Sequence, residues 1–223
     1  MRPEGSHATD KNMDVAIYDL DKTLLRKATF TPFLLFAARR TAPWRLLLAP
    51  FWILMMLGYR LGLYDRTSLK RAGMKLMLGR LSPQRLSQIG EAFADWRVET
   101  SGWNHAVIDL LERDRATGRR LVVATAAFEF YAAYFAGRLG IDTVIATMWD
   151  GENIYGGNCY GQEKYRRVQK WADLPLSDLR FRFVSDSFAD APLLDAASEA
   201  VFVTSSKSKA REARMRGWDV ISP

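Results

Sequence analysis

The sequence predicts an α/β protein: a doubly wound, parallel Rossmann-like sheet with a helical segment inserted after the first strand. Three observations predict it. Short apolar runs alternate with helical patterns through the second half of the chain, as parallel strands and their crossovers do. Between Phe30 and Thr100 the pattern is helical throughout and strand signals are absent. The single cysteine, Cys159, excludes an intrachain disulfide framework in these 223 residues, so a packed core has to hold the fold and a reducing compartment suits it.

In chain order, residues 1–11 read as a flexible tail without the apolar segment of a secretory signal. Val15 to Tyr18 is a buried strand running into a polar loop that starts at Asp19. Ser82-Pro83 is an N-cap followed by proline at the first helical position, opening a helix to about Glu99. A helix from Trp103 to Ala116 closes at Gly118. Strands are then expected at Leu121–Ala124, Thr143–Ala146, Phe181–Val184 and Ala200–Val203, with a last short one at Val220-Ile221. Helices are expected at Glu129–Leu139, Glu163–Ala172, Pro192–Ala197 and Lys207–Met215. The Gly-, Asn- and Tyr-rich stretch from Trp149 to Tyr160 reads as a small hairpin or a loop.

Open α/β sheets carry their sites at the carboxyl ends of the strands. There the sequence places Asp19, Asp21 and Thr23 after the first strand, Thr125 after the second, and Ser185, Asp186, Ser187 and Asp190 after the fourth. Lys164 opens the helix that follows the glycine-rich stretch. Taken singly, each has an ordinary role as turn former, helix cap or solvated lysine. Their joint placement on one edge suits a magnesium ion and a phosphoryl group, because Mg²⁺ prefers a few carboxylates completed by waters and substrate phosphate. Two histidines, His7 and His105, cannot build a His-rich metal centre, so any metal here is oxygen-ligated.

Asp19-Leu20-Asp21-Lys22-Thr23 after an apolar strand resembles motif I (DxDxT) of the haloacid dehalogenase (HAD) phosphatase superfamily. Val122-Val123-Ala124-Thr125 resembles motif II, Lys164 the motif III lysine, and Ser185-Asp186-Ser187-Phe188-Ala189-Asp190 motif IV, all in the superfamily's order. Lys22 and Ser185 stand where glycines are usual, and Lys22 adds a cation near the phosphate.

The resemblance implies a mechanism. Asp19 would be the nucleophile and Asp21 the general acid and base. Mg²⁺ would be held by Asp19, Asp186 and the Asp21 backbone carbonyl. Thr125 and Lys164 would bind the phosphoryl oxygens, with Asp190 and Thr23 behind them. It also implies a catalytic core at 12–27 and 100–223, with 28–99 as a helical cap that selects substrate.

Charge and hydropathy of that insertion suggest the substrate. Between Ala28 and Gly90 ten basic residues face one acid, Asp65, a local +9, while the rest of the chain carries −2. Leu46–Leu57 is apolar on every side and Phe30–Ala38 nearly so. Twelve helical residues span about 18 Å, short of a ~30 Å hydrocarbon core. A single crossing would also separate motif I from motif II, so a lone span is excluded.

Two readings remain. In one, these segments form a hairpin dipping into one leaflet of an anionic membrane at the inner face of the cytoplasmic membrane. In the other, they are the buried core of a soluble cap. The apolar, arginine-rich stretch, the Asn158–Lys164 segment and Ser-Asp-Ser in motif IV are similar to the phosphatidylglycerophosphatase C group of the superfamily, which implies a lipid phosphate as substrate. Phosphoserine-phosphatase-like enzymes share the core motifs equally, which keeps a small soluble phosphomonoester as the alternative. Nucleic-acid binding by the basic stretch is disfavoured, because the residues between its charges are apolar rather than polar and aromatic.

Overall fold

The computed structural model describes residues 14–223; the tail expected at 1–11 lies outside the described residues. Seven strands form one sheet in the order β4-β3-β2-β1-β5-β6-β7. They are β1 (Val15–Tyr18), β2 (Arg120–Phe128), β3 (Thr143–Trp149), β4 (Ile154–Tyr155), β5 (Phe181–Ser185), β6 (Glu199–Val203) and β7 (Asp219–Ile221). All pairings are parallel except β3 with β4, which closes an antiparallel hairpin, so the Trp149–Tyr160 stretch contains a hairpin.

β1 lies at the centre because it can be buried on both faces. Ala16 and Tyr18 join one core cluster; Val15 and Ile17, pointing the other way by the two-residue period of a strand, join the second. The first cluster packs α1 (Phe30–Thr41), α4 (Pro83–Ser101), α5 (His105–Ala116) and α6 (Glu129–Arg138). The second packs α7 (Gln162–Ala172), α8 (Ala191–Ala196) and α9 (Lys207–Met215). The chain fills one side of β1 with β2 and β3 and then the other with β5 to β7, making a topological switch point at the carboxyl end of β1.

The inserted helices are α1, a 3-10 stretch at Pro43–Leu48, α2 (Ala49–Arg60), α3 (Arg66–Met77) and α4. Two caps fix their starts: Asp65 accepts from the Ser68 backbone N–H, and Ser82 from that of Arg85. The two apolar segments behave differently. Phe33, Leu34, Ala37 and Ala38 of α1 are buried in the first core, so this arm of the expected membrane hairpin turns inward. In α2 only Trp52 and Gly58 are buried. Among the described residues no helix is long and apolar enough to cross a membrane.

Most boundaries shift by a residue or two from the sequence reading, and three of the differences have a visible cause or consequence. α5 starts at His105, because Trp103 is drawn into a bridge with Leu25. β3 runs on to Trp149 to reach its hairpin partner. β2 continues to Phe128 through a register irregularity after Ala124, so Thr125 sits inside the strand at that irregularity, not at its end.

Candidate active site

Asp19 continues β1 by one residue, its N–H donating to the Val184 carbonyl at 2.9 Å, which aims the side chain off the carboxyl edge of the sheet. The chain then turns sharply, and Lys22 adopts φ 61°, a left-handed conformation that glycine takes without cost. The turn brings Asp21 back so that its Oδ1 accepts the Thr29 backbone N–H at 2.9 Å.

Lys164, in the first turn of α7, is 1 % exposed and donates to Asp19 Oδ1 at 2.8 Å and to Asp190 Oδ2 at 2.6 Å. Ser185, where glycine is usual, donates its hydroxyl to the same Asp190 oxygen at 2.7 Å. Asp190 Oδ1 is buried and has no hydrogen-bond partner.

Six of the seven residues to which the family resemblance gives a role line one cavity of about 160 Å³: Asp19, Asp21, Thr125, Lys164, Asp186 and Asp190. Thr23 lies beneath it, fully buried. Its hydroxyl accepts the Asp186 backbone N–H at 3.1 Å and donates to Asp19 Oδ2 at 3.4 Å, tying the β1 loop to the β5 loop. Thr125 Oγ1 accepts the Ala127 N–H at 3.0 Å, which leaves its hydroxyl proton for an oxygen in the cavity.

The electrostatics are those of crowded carboxylates. Burial, opposed by the Lys164 ammonium and reinforced by Asp190 and Asp186, pushes Asp19 up to about 7. Burial likewise lifts Asp186 to about 6, with Lys22 pulling the other way. Asp21 is also raised by burial, against its hydrogen bond from Thr29. Burial alone would lower Lys164, but Asp19 and Asp190 reverse this and hold it charged.

A divalent cation fits this donor set. A buried and a half-buried carboxylate that repel each other, Asp19 and Asp186, and an unpartnered carboxylate oxygen on Asp190 behind them are what an oxygen-ligated Mg²⁺ and its waters would satisfy. The side chains by themselves do not form a cluster of three or more ligands among the described residues.

The sequence did not single out Arg66 or Tyr160. Both line the cavity, with the Arg66 guanidinium 4.2 Å from the centre of the Tyr160 ring. Lys70, one turn after Arg66 in α3, is buried and donates to the Ala126 carbonyl and, at 3.0 Å, to Asn158 Oδ1. These contacts join α3 to the 158–160 segment. Arg66 was visible only as one of ten basic residues in the insertion; nothing in its neighbours marks it. A second cavity, of about 330 Å³, shares Asp21, Arg66 and Ala126 with the first and is walled by Phe30, Trp52, Met56 and Leu69.

A cavity lined by four aspartates at the switch point of a doubly wound sheet, with Arg66 of the inserted helices in its wall, places the protein in the α/β class with its site at the strand ends. Comparison with known proteins gives the family. Residues 16–195 match the haloacid dehalogenase-like hydrolases, and the chain belongs to that family.

A probable phosphatase of Mycobacterium tuberculosis is 32% identical over 120 residues, a match covering 51% of this chain and 42% of that protein; the chain thus spans less than half the length of the curated relatives it matches. A solved structure from Bordetella pertussis Tohama I, described as of unknown function, is similar at TM-score 0.82 and 27% identity, covering 94% of this chain and 98% of that one. A phosphoserine phosphatase carrying a phospho-aspartyl intermediate analogue shares the fold at TM-score 0.58 and 14% identity, over 93% of this chain and 92% of its own.

Proposed function

We propose that the protein is an Mg²⁺-dependent phosphomonoester hydrolase that works through an aspartyl-phosphate on Asp19 and acts on a lipid phosphate, such as phosphatidylglycerophosphate, at an anionic membrane surface. The observation that carries the reaction class is the single cavity shared by Asp19, Asp21, Thr125, Lys164 and Asp186.

In this reading the Asp19 carboxylate attacks phosphorus as the ester P–O bond breaks. Asp21, which burial favours in its protonated form, gives its proton to the departing oxygen. Asp21 then takes a proton from the water that attacks the phospho-enzyme, which releases phosphate and restores the Asp19 carboxylate. Lys164 and the Thr125 hydroxyl hold phosphoryl oxygens, while Asp190 and Ser185 fix Lys164 in place. Asp19, Asp186 and the Asp21 carbonyl would hold Mg²⁺, which when bound neutralises charge on the phosphoryl oxygens. Residues 28–99 act as the cap over this core.

The lipid reading is supported by the second cavity. It shares Asp21, the proposed proton donor to the leaving group, with the first cavity, and its walls are mostly apolar with Arg60 and Arg66 among them. The competing reading, a small soluble substrate such as phosphoserine, draws on fold likeness at 14% identity. Phosphate release across lipid and soluble phosphomonoesters, with Mg²⁺ and with chelator, tests both. Asp19→Asn should lower turnover of every substrate by about 10³-fold or more, since the nucleophile is gone. A near-normal rate in that variant would remove Asp19 from the role.

A further inference from the structure

α2 presents two faces with different company. Its inner side, Trp52, Met56, Tyr59 and Arg60, lines the second cavity beside Asp21. Its outer crest, Pro50, Ile53, Leu54 and Leu57, faces away from the protein: Ile53 is 60% and Leu54 62% exposed. Apolar exposure continues on both flanks, at Trp44 and Leu47 before the helix and at Leu61 and Leu63 after it. Scattered exposed apolar residues are ordinary, but a contiguous run of this kind marks a surface that something covers.

The charges around it say what. Arg39 and Arg40 share a hollow with Leu46, and the Arg45 guanidinium reaches the carbonyls of Lys75 and Leu76. Leu76 in turn lines the shallow apolar groove of Phe51, Leu54 and Leu63. Arg39, Arg40 and Lys75 are exposed and, among the described residues, none makes an ion pair. The one acid in this stretch, Asp65, is engaged as the cap of α3. An apolar crest rimmed by unpaired cations matches an anionic bilayer, whose acyl boundary takes the crest and whose headgroups take the cations. A helix of twelve residues is too short to span and long enough to lie flat.

We propose that α2, with its flanks, lies in the interfacial plane of an anionic bilayer and that its inner face is the wall along which a phosphorylated lipid moves sideways from the leaflet into the second cavity, bringing its ester oxygen to Asp21. The choice of lipid as the molecule that enters rests on the proposed function; the docking of α2 rests on the crest and its cations alone. This corrects the sequence expectation of a two-armed hairpin, since α1 spends its apolar face on the core.

The experiment compares the full chain with Ile53→Glu/Leu54→Glu, whose side chains project from the surface. Vesicles of phosphatidylcholine with phosphatidylglycerol should float with the full chain and lose at least about tenfold of it in the variant, while phosphatidylcholine alone binds neither well. Turnover of lipid phosphate in those vesicles should fall in step, and turnover of p-nitrophenyl phosphate with Mg²⁺ should stay within about twofold.

A second measurement does not depend on that variant. Cys159 is buried, so a bimane label can be placed at Leu54→Cys, and at Glu91→Cys on α4 as control. Only the first should shift to the blue on anionic vesicles. Equal binding by the full chain and the variant, or no shift at Leu54, overturns the proposal. So does a lipid-free dimer that the variant dissociates, because a second copy would then be the occupant. Vesicle binding with no phosphate release from any ester would instead sink the phosphatase reading and leave the docking of α2 in place.

Discussion

Two lysines in the interior carry opposite consequences. Lys164 stands between two carboxylates and is held charged, ready for an anion. Lys70 is buried and hydrogen-bonded to neutral oxygens only, and burial together with nearby Arg66 pushes it down to about 7, with Asp21 resisting. Its folded value thus lies below its unfolded one, so the unfolded chain binds more protons between about pH 7 and 10 and stability rises with pH across that window. Thermal unfolding at about pH 7 and pH 9 should show this rise, and Lys70→Met should flatten it. One of the two acceptors that Lys70 leaves behind keeps a donor, the single Thr147 hydroxyl proton, whose oxygen lies 2.8 Å from the Ala126 carbonyl and 3.0 Å from Asn158 Oδ1. The motif residues were legible in the sequence because phosphoryl chemistry restricts the side chains that can serve. Arg66, Tyr160 and Lys70 were not, because their roles arise only when α3 is laid against the 158–160 segment, a contact between parts of the chain about ninety residues apart.

At the scale of elements, α4 and α6 approach so closely that a Cβ on Gly90 would collide with the Phe130 carbonyl oxygen. Alanine is ordinarily the better helix former by about 1 kcal/mol. Here the colliding atom is backbone and cannot rotate away, so Gly90→Ala should destabilise by about 1–3 kcal/mol and lower the thermal midpoint. An unchanged midpoint would mean the two helices slide apart freely. Strands and helices of the sheet were readable from periodicity because each has one buried face set by a fixed neighbour. The two apolar segments of the insertion were not distinguishable in that way. Hydropathy records that Phe30–Ala38 and Leu46–Leu57 avoid water and is silent on what shields them. Packing on Phe93 and Tyr131 claims Phe33 of α1, and little remains for α2.

For the molecule as a whole, folding brings Asp19 and Asp186 together from positions far apart in the chain, at a cost in charge repulsion that only the native state incurs. A cation bound there stabilises the native state alone. Mg²⁺ at about a hundred times its dissociation constant should therefore add about 2.7 kcal/mol and raise the unfolding midpoint by several degrees. Asp186→Asn should abolish most of that rise, and a rise that persists would place the ion elsewhere.

The same global view bears on how material reaches the acidic pocket. Helices α1 and α4 of the insertion and α5 and α6 of the sheet contribute to one continuous apolar interior, with Phe33, Phe93 and Tyr131 interlocked across it. A lid built this way cannot swing on a hinge without exposing that interior to water. Traffic in and out is left to openings already present in the folded chain.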